Sequence, residues 1–129
     1  MEIKITDKKL LINLVSIQST TRNDDAINSF IEEQLKAIEG VTVSKDTFGN
    51  IYAVKGAGEN GYKCIVSHTD TVHSFEKGRL VYLHGDNLFA MAENSPVTTN
   101  SYYKNESLIK QVGIGGDDRV GIYTCILAM

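Results

Sequence analysis

No stretch of this sequence comes near the roughly 20 apolar residues that a bilayer-spanning helix requires. The first apolar run, LLINLV within Met1 to Ile17, is approached through Asp7, Lys8 and Lys9, and no small-residue cleavage site follows it, so no secretory signal is read. A soluble, cytoplasmic protein is expected. A surplus of one charge is also missing: 13 basic residues stand against 16 acidic ones, the net charge is −3, and both signs are scattered. That pattern excludes a nucleic-acid groove and a polybasic membrane patch, and leaves a small molecule or peptide as the expected ligand. Cysteine is scarce. Cys64 and Cys125 both lie among apolar residues and, without a secretory signal, read as reduced core thiols rather than a disulfide. For the same reason the sequon Asn105-Glu106-Ser107 carries little weight. Repeats, low-complexity tracts and linkers are absent, so the 129 residues, 42% hydrophobic and 22% charged, read as one globular domain or part of one.

Two helices are legible. Leu10, Leu11, Leu14, Val15 and Ile17 recur at spacings of three and four after Thr6, a candidate cap, which predicts a short amphipathic helix over Thr6 to Ser16. From Asp24 to Ile38 the apolar stripe is Ile27, Phe30, Ile31, Leu35 and Ile38, with Asp24 and Asp25 in the first turn and Gly40 as the stop. The period then changes. Val41 to Val43 and Ile51 to Val54 read as strands joined by Phe48-Gly49-Asn50, where Gly and Asn tolerate the positive φ of a tight turn. Tyr62, Cys64, Ile65 and Val66 form a dense apolar run, the pattern of a strand buried on both faces. Arg79 to Leu83 and Asn87 to Met91 alternate around Gly85-Asp86 as an edge hairpin. A polar stretch from Ala92 to Leu108 reads as a long functional or mobile loop. Last, Gly113-Ile114-Gly115-Gly116 turns into an apolar helix from Ile122 to Met129.

Two constellations carry chemistry. Ser67-His68-Thr69-Asp70-Thr71-Val72 closes the apolar run, and strand alternation puts His68 and Asp70 on one side. An imidazole can bind zinc through one nitrogen while the other donates to a carboxylate, which fixes the tautomer. A structural histidine at a strand end explains the same triplet. The second constellation is Gly115-Gly116-Asp117-Asp118-Arg119-Val120-Gly121 at a helix start. Its glycines permit a sharp turn. The two oxygens of Asp117 suit it to bridge metal ions about 3.5 to 4 Å apart, and equally to cap the helix. A phosphate loop is set aside, because GIGGDD lacks the third glycine of GxGxxG and puts two negative charges where a pyrophosphate would sit.

Taken together, His68-Thr69-Asp70-Thr71-Val72 and Asp117-Asp118-Arg119-Val120-Gly121 resemble the HxDTV and DD[KR]xG hallmarks of the dizinc exopeptidases and amidohydrolases, the family of peptidase T, carboxypeptidase G and the aminoacylases. The resemblance extends to Ser16-Ile17-Gln18-Ser19 and to Phe48-Gly49-Asn50-Ile51, and so covers nearly the whole chain. It implies an α/β fold, part of a three-layer α/β/α sandwich around a mixed sheet, with residues 1 to 129 forming the N-terminal portion of one catalytic domain. The lid or dimerisation domain and the C-terminal half would lie outside the chain.

By the same resemblance His68 binds one zinc and Asp117 bridges two, with cobalt or manganese as substitutes. Asp70, counted with the catalytic residues, orients His68. Asp118 belongs to the helix cap and Arg119 to surface or cap electrostatics, while His73 and His84 take surface or loop roles. The family's Glu-Glu pair, which holds its general base, has no match here. The implied reaction is hydrolysis of a peptide or N-acyl amide bond by metal-activated water, on a small peptide or an acylated amino acid. The chain by itself is expected to be inactive, with Ile122, Ile126 and Leu127 needing partners from strands elsewhere. The competing expectation is a non-catalytic remnant or binding module of the same fold.

Overall fold

The computed structural model describes residues 5–94 and 108–129. Most of the polar stretch read as a loop, and the sequon with it, lies outside the described residues. Eight elements follow in order: α1 (Ile5–Ser16), α2 (Asp25–Lys36), β1 (Val41–Lys45), β2 (Ile51–Lys55), β3 (Leu80–His84), β4 (Asn87–Glu93), β5 (Ile109–Val112) and α3 (Gly116–Leu127). The class is α/β. Its strands form a two-stranded sheet, β1-β2, and a three-stranded sheet, β3-β4-β5. All these pairings are antiparallel, where the resemblance implied a mixed sheet. Among the described residues no helix is long and apolar enough to cross a membrane.

The core follows from the helical stripes. Leu14 of α1, Ile27, Ile31 and Leu35 of α2, and Ile122 and Ile126 of α3 form one buried cluster, with Val43, Ile51 and Ala53 of the first hairpin packed against it. The three helices and this hairpin thus enclose one apolar centre. The expectation that Ile122 and Ile126 need partners from elsewhere is corrected here: α3 packs on α1, and both side chains are buried. Leu127 stays 38% exposed. On the other side α1 lies against β3, and Ala90 and Ala92 of β4 are buried.

Both hairpins are set by their turns. In the first, Lys45 pairs with Ile51, Gly49 has φ 89°, and the Asp46 carboxylate gathers the loop. Its Oδ1 accepts the backbone N–H groups of Phe48 and Asn50, each at 2.9 Å, and its Oδ2 accepts the Asn50 side-chain amide at 2.8 Å and the Tyr52 hydroxyl at 3.2 Å. These bonds, that of the Asn50 side chain foremost, hold the Asp46 carboxyl below its ordinary range. A carboxyl depressed in the folded state stabilises above its unfolded pKa, and that contribution is lost as pH falls through the folded value. Asp46→Asn is therefore expected to be less stable than the parent at pH 7, with the gap narrowing below about pH 4. Urea melts of both proteins at several pH values check this. In the second hairpin His84 pairs with Asn87 across Gly85-Asp86, and Gly85 at φ 60° takes the first central position of the two-residue turn.

Three further expectations fail in the fold. Tyr62 to Val66 is not a buried strand: among the described residues no strand pairs with it, and Val66 is 85% exposed. Apolar density alone does not make a strand when no ladder lies alongside. Cys64, in the same run, is consequently an exposed free thiol, while Cys125 is half-buried and burial pushes its thiol pKa up. Thr6 lies inside α1 rather than ahead of it.

Candidate metal centre

His68 sits in an irregular segment, yet its neighbours still alternate. Thr69 and Thr71 turn inward. The Thr71 hydroxyl donates to the Ser19 carbonyl at 2.7 Å, the Thr69 hydroxyl donates to Asp24 Oδ2 at 3.2 Å, and the Thr69 carbonyl accepts the Ser19 hydroxyl at 2.9 Å. His68 and Asp70 take the other side. The α2 approach and the Ser19 to Thr21 segment thus anchor the histidine loop from beneath.

Asp117 reaches the same place from the start of α3. Gly115 has φ 75°, in the left-handed region, and Asp117 (φ −91°, ψ 100°) and Asp118 (φ −124°, ψ 40°) are non-helical, so regular helix begins at Arg119. Asp118 caps it: Oδ1 accepts the Gly121 N–H at 2.9 Å, three residues on, as a side-chain N-cap does. Its Oδ2 accepts the Ser67 hydroxyl at 2.9 Å and so ties the helix start to the residue before His68. Gly121 is required for this, because a Cβ there would collide with the Asp118 carboxylate. The neighbouring Asp117 carboxylate is left 93% exposed.

The three residues converge through the imidazole. Nδ1 of His68 lies 3.1 Å from the Asp70 carbonyl and 3.2 Å from Asp70 Oδ1, and Nε2 lies 2.9 Å from Asp117 Oδ1. A carbonyl and a carboxylate only accept, so Nδ1 carries the proton. In a neutral ring Nε2 then presents a lone pair to the oxygen of Asp117. Two acceptors do not hold each other, and the contact requires either a second proton or a cation between them. Accordingly the Asp117 carboxylate, with Asp70 adding to it, raises the His68 pKa above its ordinary value. Asp70 is lowered, first by the Thr21 hydroxyl that donates to its Oδ2 at 3.0 Å and then by His68.

This donor set suits a zinc ion in kind, with one imidazole nitrogen beside one carboxylate and the other ring nitrogen held by a second carboxylate. It is small in number. Among the described residues no group of three or more His, Cys, Asp and Glu side chains is arranged to hold a metal ion. His73 and His84 are exposed and stand apart from these contacts.

Arg119 departs most from expectation. It is not a surface residue: it is 1% exposed, and its guanidinium donates to the Thr69 carbonyl at 2.6 Å, the Ser19 hydroxyl at 2.6 Å and the Ile17 carbonyl at 3.3 Å. Burial lowers its pKa. Ser67, Ser19 and Thr21 are further residues that local pattern did not single out for the site. Their only signal was position, beside the HxD triplet or in the Ser-rich segment after α1.

No protein-family model matches the chain, and no solved structure matches it significantly. Two curated proteins are similar to part of it. The succinyl-diaminopimelate desuccinylases of Sulfurovum sp. (strain NBC37-1) and Nautilia profundicola are each 35% identical to it over 63 residues, which are 49% of this chain and 17% of each relative. The matched stretch is thus less than a fifth of the relatives' length. At that partial coverage the similarity supports kinship with a hydrolase superfamily.

Proposed function

We propose that this chain is part of a zinc-dependent hydrolase of N-acyl amide or peptide bonds, in which His68 and Asp117 hold metal and Asp70 orients His68. One observation carries the reading: Nε2 of His68 lies 2.9 Å from a carboxylate oxygen of Asp117 while Nδ1 faces Asp70, an arrangement that a cation, in place of a second ring proton, completes. The exposed second oxygen of Asp117 leaves room for a bridging role. The desuccinylase names of the two relatives favour an acylated amino acid over a free peptide as substrate. The larger architecture that goes with this reading is the three-layer sandwich with a separate lid domain.

In that reaction zinc supplies Lewis acidity, which makes water a nucleophile near neutral pH and polarises the amide carbonyl. The chain's own residues prepare for it. Asp70 keeps the Nδ1 proton in place, so the Nε2 lone pair faces the metal position, and Thr21 keeps Asp70 from rotating away. Asp118 and Ser67 fix the helix start, so Asp117 meets His68 rather than the helix end. Catalytic zinc generally takes three protein ligands, and two donors of this kind give weak binding in the 129-residue chain alone.

The test is a zinc titration of the purified chain followed through the ring nitrogens of His68. Zinc should move the Nε2 resonance and leave Nδ1–H bonded to Asp70. If the imidazole instead stays doubly protonated between the two carboxylates at every zinc concentration, the contact is a structural ion pair and the second reading, a non-catalytic module, stands.

A further inference from the structure

We infer that Arg119 is a positioning residue of the metal centre, its buried guanidinium setting the distance between the loop that carries His68 and the helix that carries Asp117. This rests on the assignment of His68 and Asp117 as ligands. Arg119 lies two residues after Asp117 on α3, and its shortest bonds run to the Thr69 carbonyl, between His68 and Asp70, and to the Ser19 hydroxyl. Ser19 donates to that same carbonyl, and Thr71 donates back to the Ser19 backbone. One side chain therefore joins three segments: the end of α1 through Ile17, the Ser19 turn and the histidine loop.

The chemistry argues for a specific task. An arginine seldom goes fully inside a protein without a carboxylate bonded to it, and among the described residues the hydrogen bonds of this one run to carbonyl and hydroxyl oxygens, with the Asp70 carboxylate favouring its charge only through space. An apolar side chain of similar length would fill the volume without the desolvation cost. What it would lack is a planar fork that grips several oxygens at once, and lysine, a point charge on a flexible stem, lacks it too. The fork acts on the backbone of Thr69 and touches neither ligand directly. Its effect on His68 and Asp70 is transmitted through the peptide they flank.

The experiment compares the parent chain with Arg119→Lys, Arg119→Met and Ser19→Ala, using circular dichroism for folding, metal-free NMR of the His68 ring, and zinc affinity from competition with a chromophoric chelator. The parent should give one sharp set of His68 ring signals. Folded Arg119→Lys and Arg119→Met should give doubled or broadened sets and bind zinc about 10 to 100-fold more weakly, the range for outer partners of metal ligands. Ser19→Ala, which keeps the guanidinium but removes one of its acceptors, should fall between. If Arg119→Met does not fold, Arg119→Lys and Ser19→Ala decide. Unchanged ring signals in those two folded variants overturn the inference. Absence of zinc binding by the parent would overturn the proposed function instead, and the metal-free ring signals would still decide whether Arg119 positions His68.

Discussion

His68→Ala is expected to abolish zinc binding by this chain, and Asp117→Ala to do the same, with at least a 100-fold loss of affinity in each case. The reason is that the two donors are the whole convergent set: with one removed, zinc is left with a single protein ligand among the described residues. Asp70→Ala should cost less, about 10 to 100-fold, because it removes the partner that orients the ring and not a donor. The order of the three effects is the diagnostic part. If Asp70→Ala were as damaging as His68→Ala, Asp70 would itself be a ligand. If all three variants bound zinc like the parent, the metal would sit elsewhere. Folding should be almost untouched, since His68, Asp70 and Asp117 all retain substantial solvent exposure.

Ile27→Ala should destabilise the fold by about 2–5 kcal/mol, and Leu14→Ala by a similar amount, because both side chains are fully buried and truncation leaves a cavity where α1, α2 and α3 meet. For a chain of this size such a loss lowers the melting temperature on the order of 10 °C. A thermal melt compared with Phe30→Ala, whose side chain is only partly buried at the edge of the cluster, supplies the contrast. Equal losses at Ile27 and Phe30 would mean that the three-helix centre is not the cooperative core. The metal-centre variants and the core variants should separate cleanly, one set losing affinity and the other stability.

Much of the fold was legible in the sequence, for reasons that differ by element. α2 could be read because its stripe at three and four residue spacing is the face that it buries, and the two hairpins because Gly49 and Gly85 stand where positive φ is needed. β5 was missed. Ile109-Lys110-Gln111-Val112 is short and half polar, and its pairing with β4 depends on a partner distant in sequence. The Tyr62 to Val66 run misled in the opposite direction, since composition reports what a strand would contain and not whether a neighbour is there to pair with it. At the site, the HxD and DD[KR]xG segments marked His68, Asp70 and Asp117 as candidates, and the Asp118 cap came with the same resemblance, whereas position before the helix alone had offered Asp117 as the cap. Arg119 was not, because a charged residue on a helix reads as solvated by default. Its burial comes from carbonyls at Ile17 and Thr69, which no local window contains.

The segment from Tyr62 to Val72 has a practical consequence for anyone handling the protein. It displays Tyr62, Ile65, Val66 and Val72 to solvent, and among the described residues no strand takes up its backbone. An exposed apolar stretch of this kind is a surface on which a second chain can pack. Concentrated samples should therefore associate through the stretch that leads into the histidine loop. Zinc titrations then belong at low micromolar protein, with sedimentation checked alongside, so that lost affinity is not mistaken for lost accessibility.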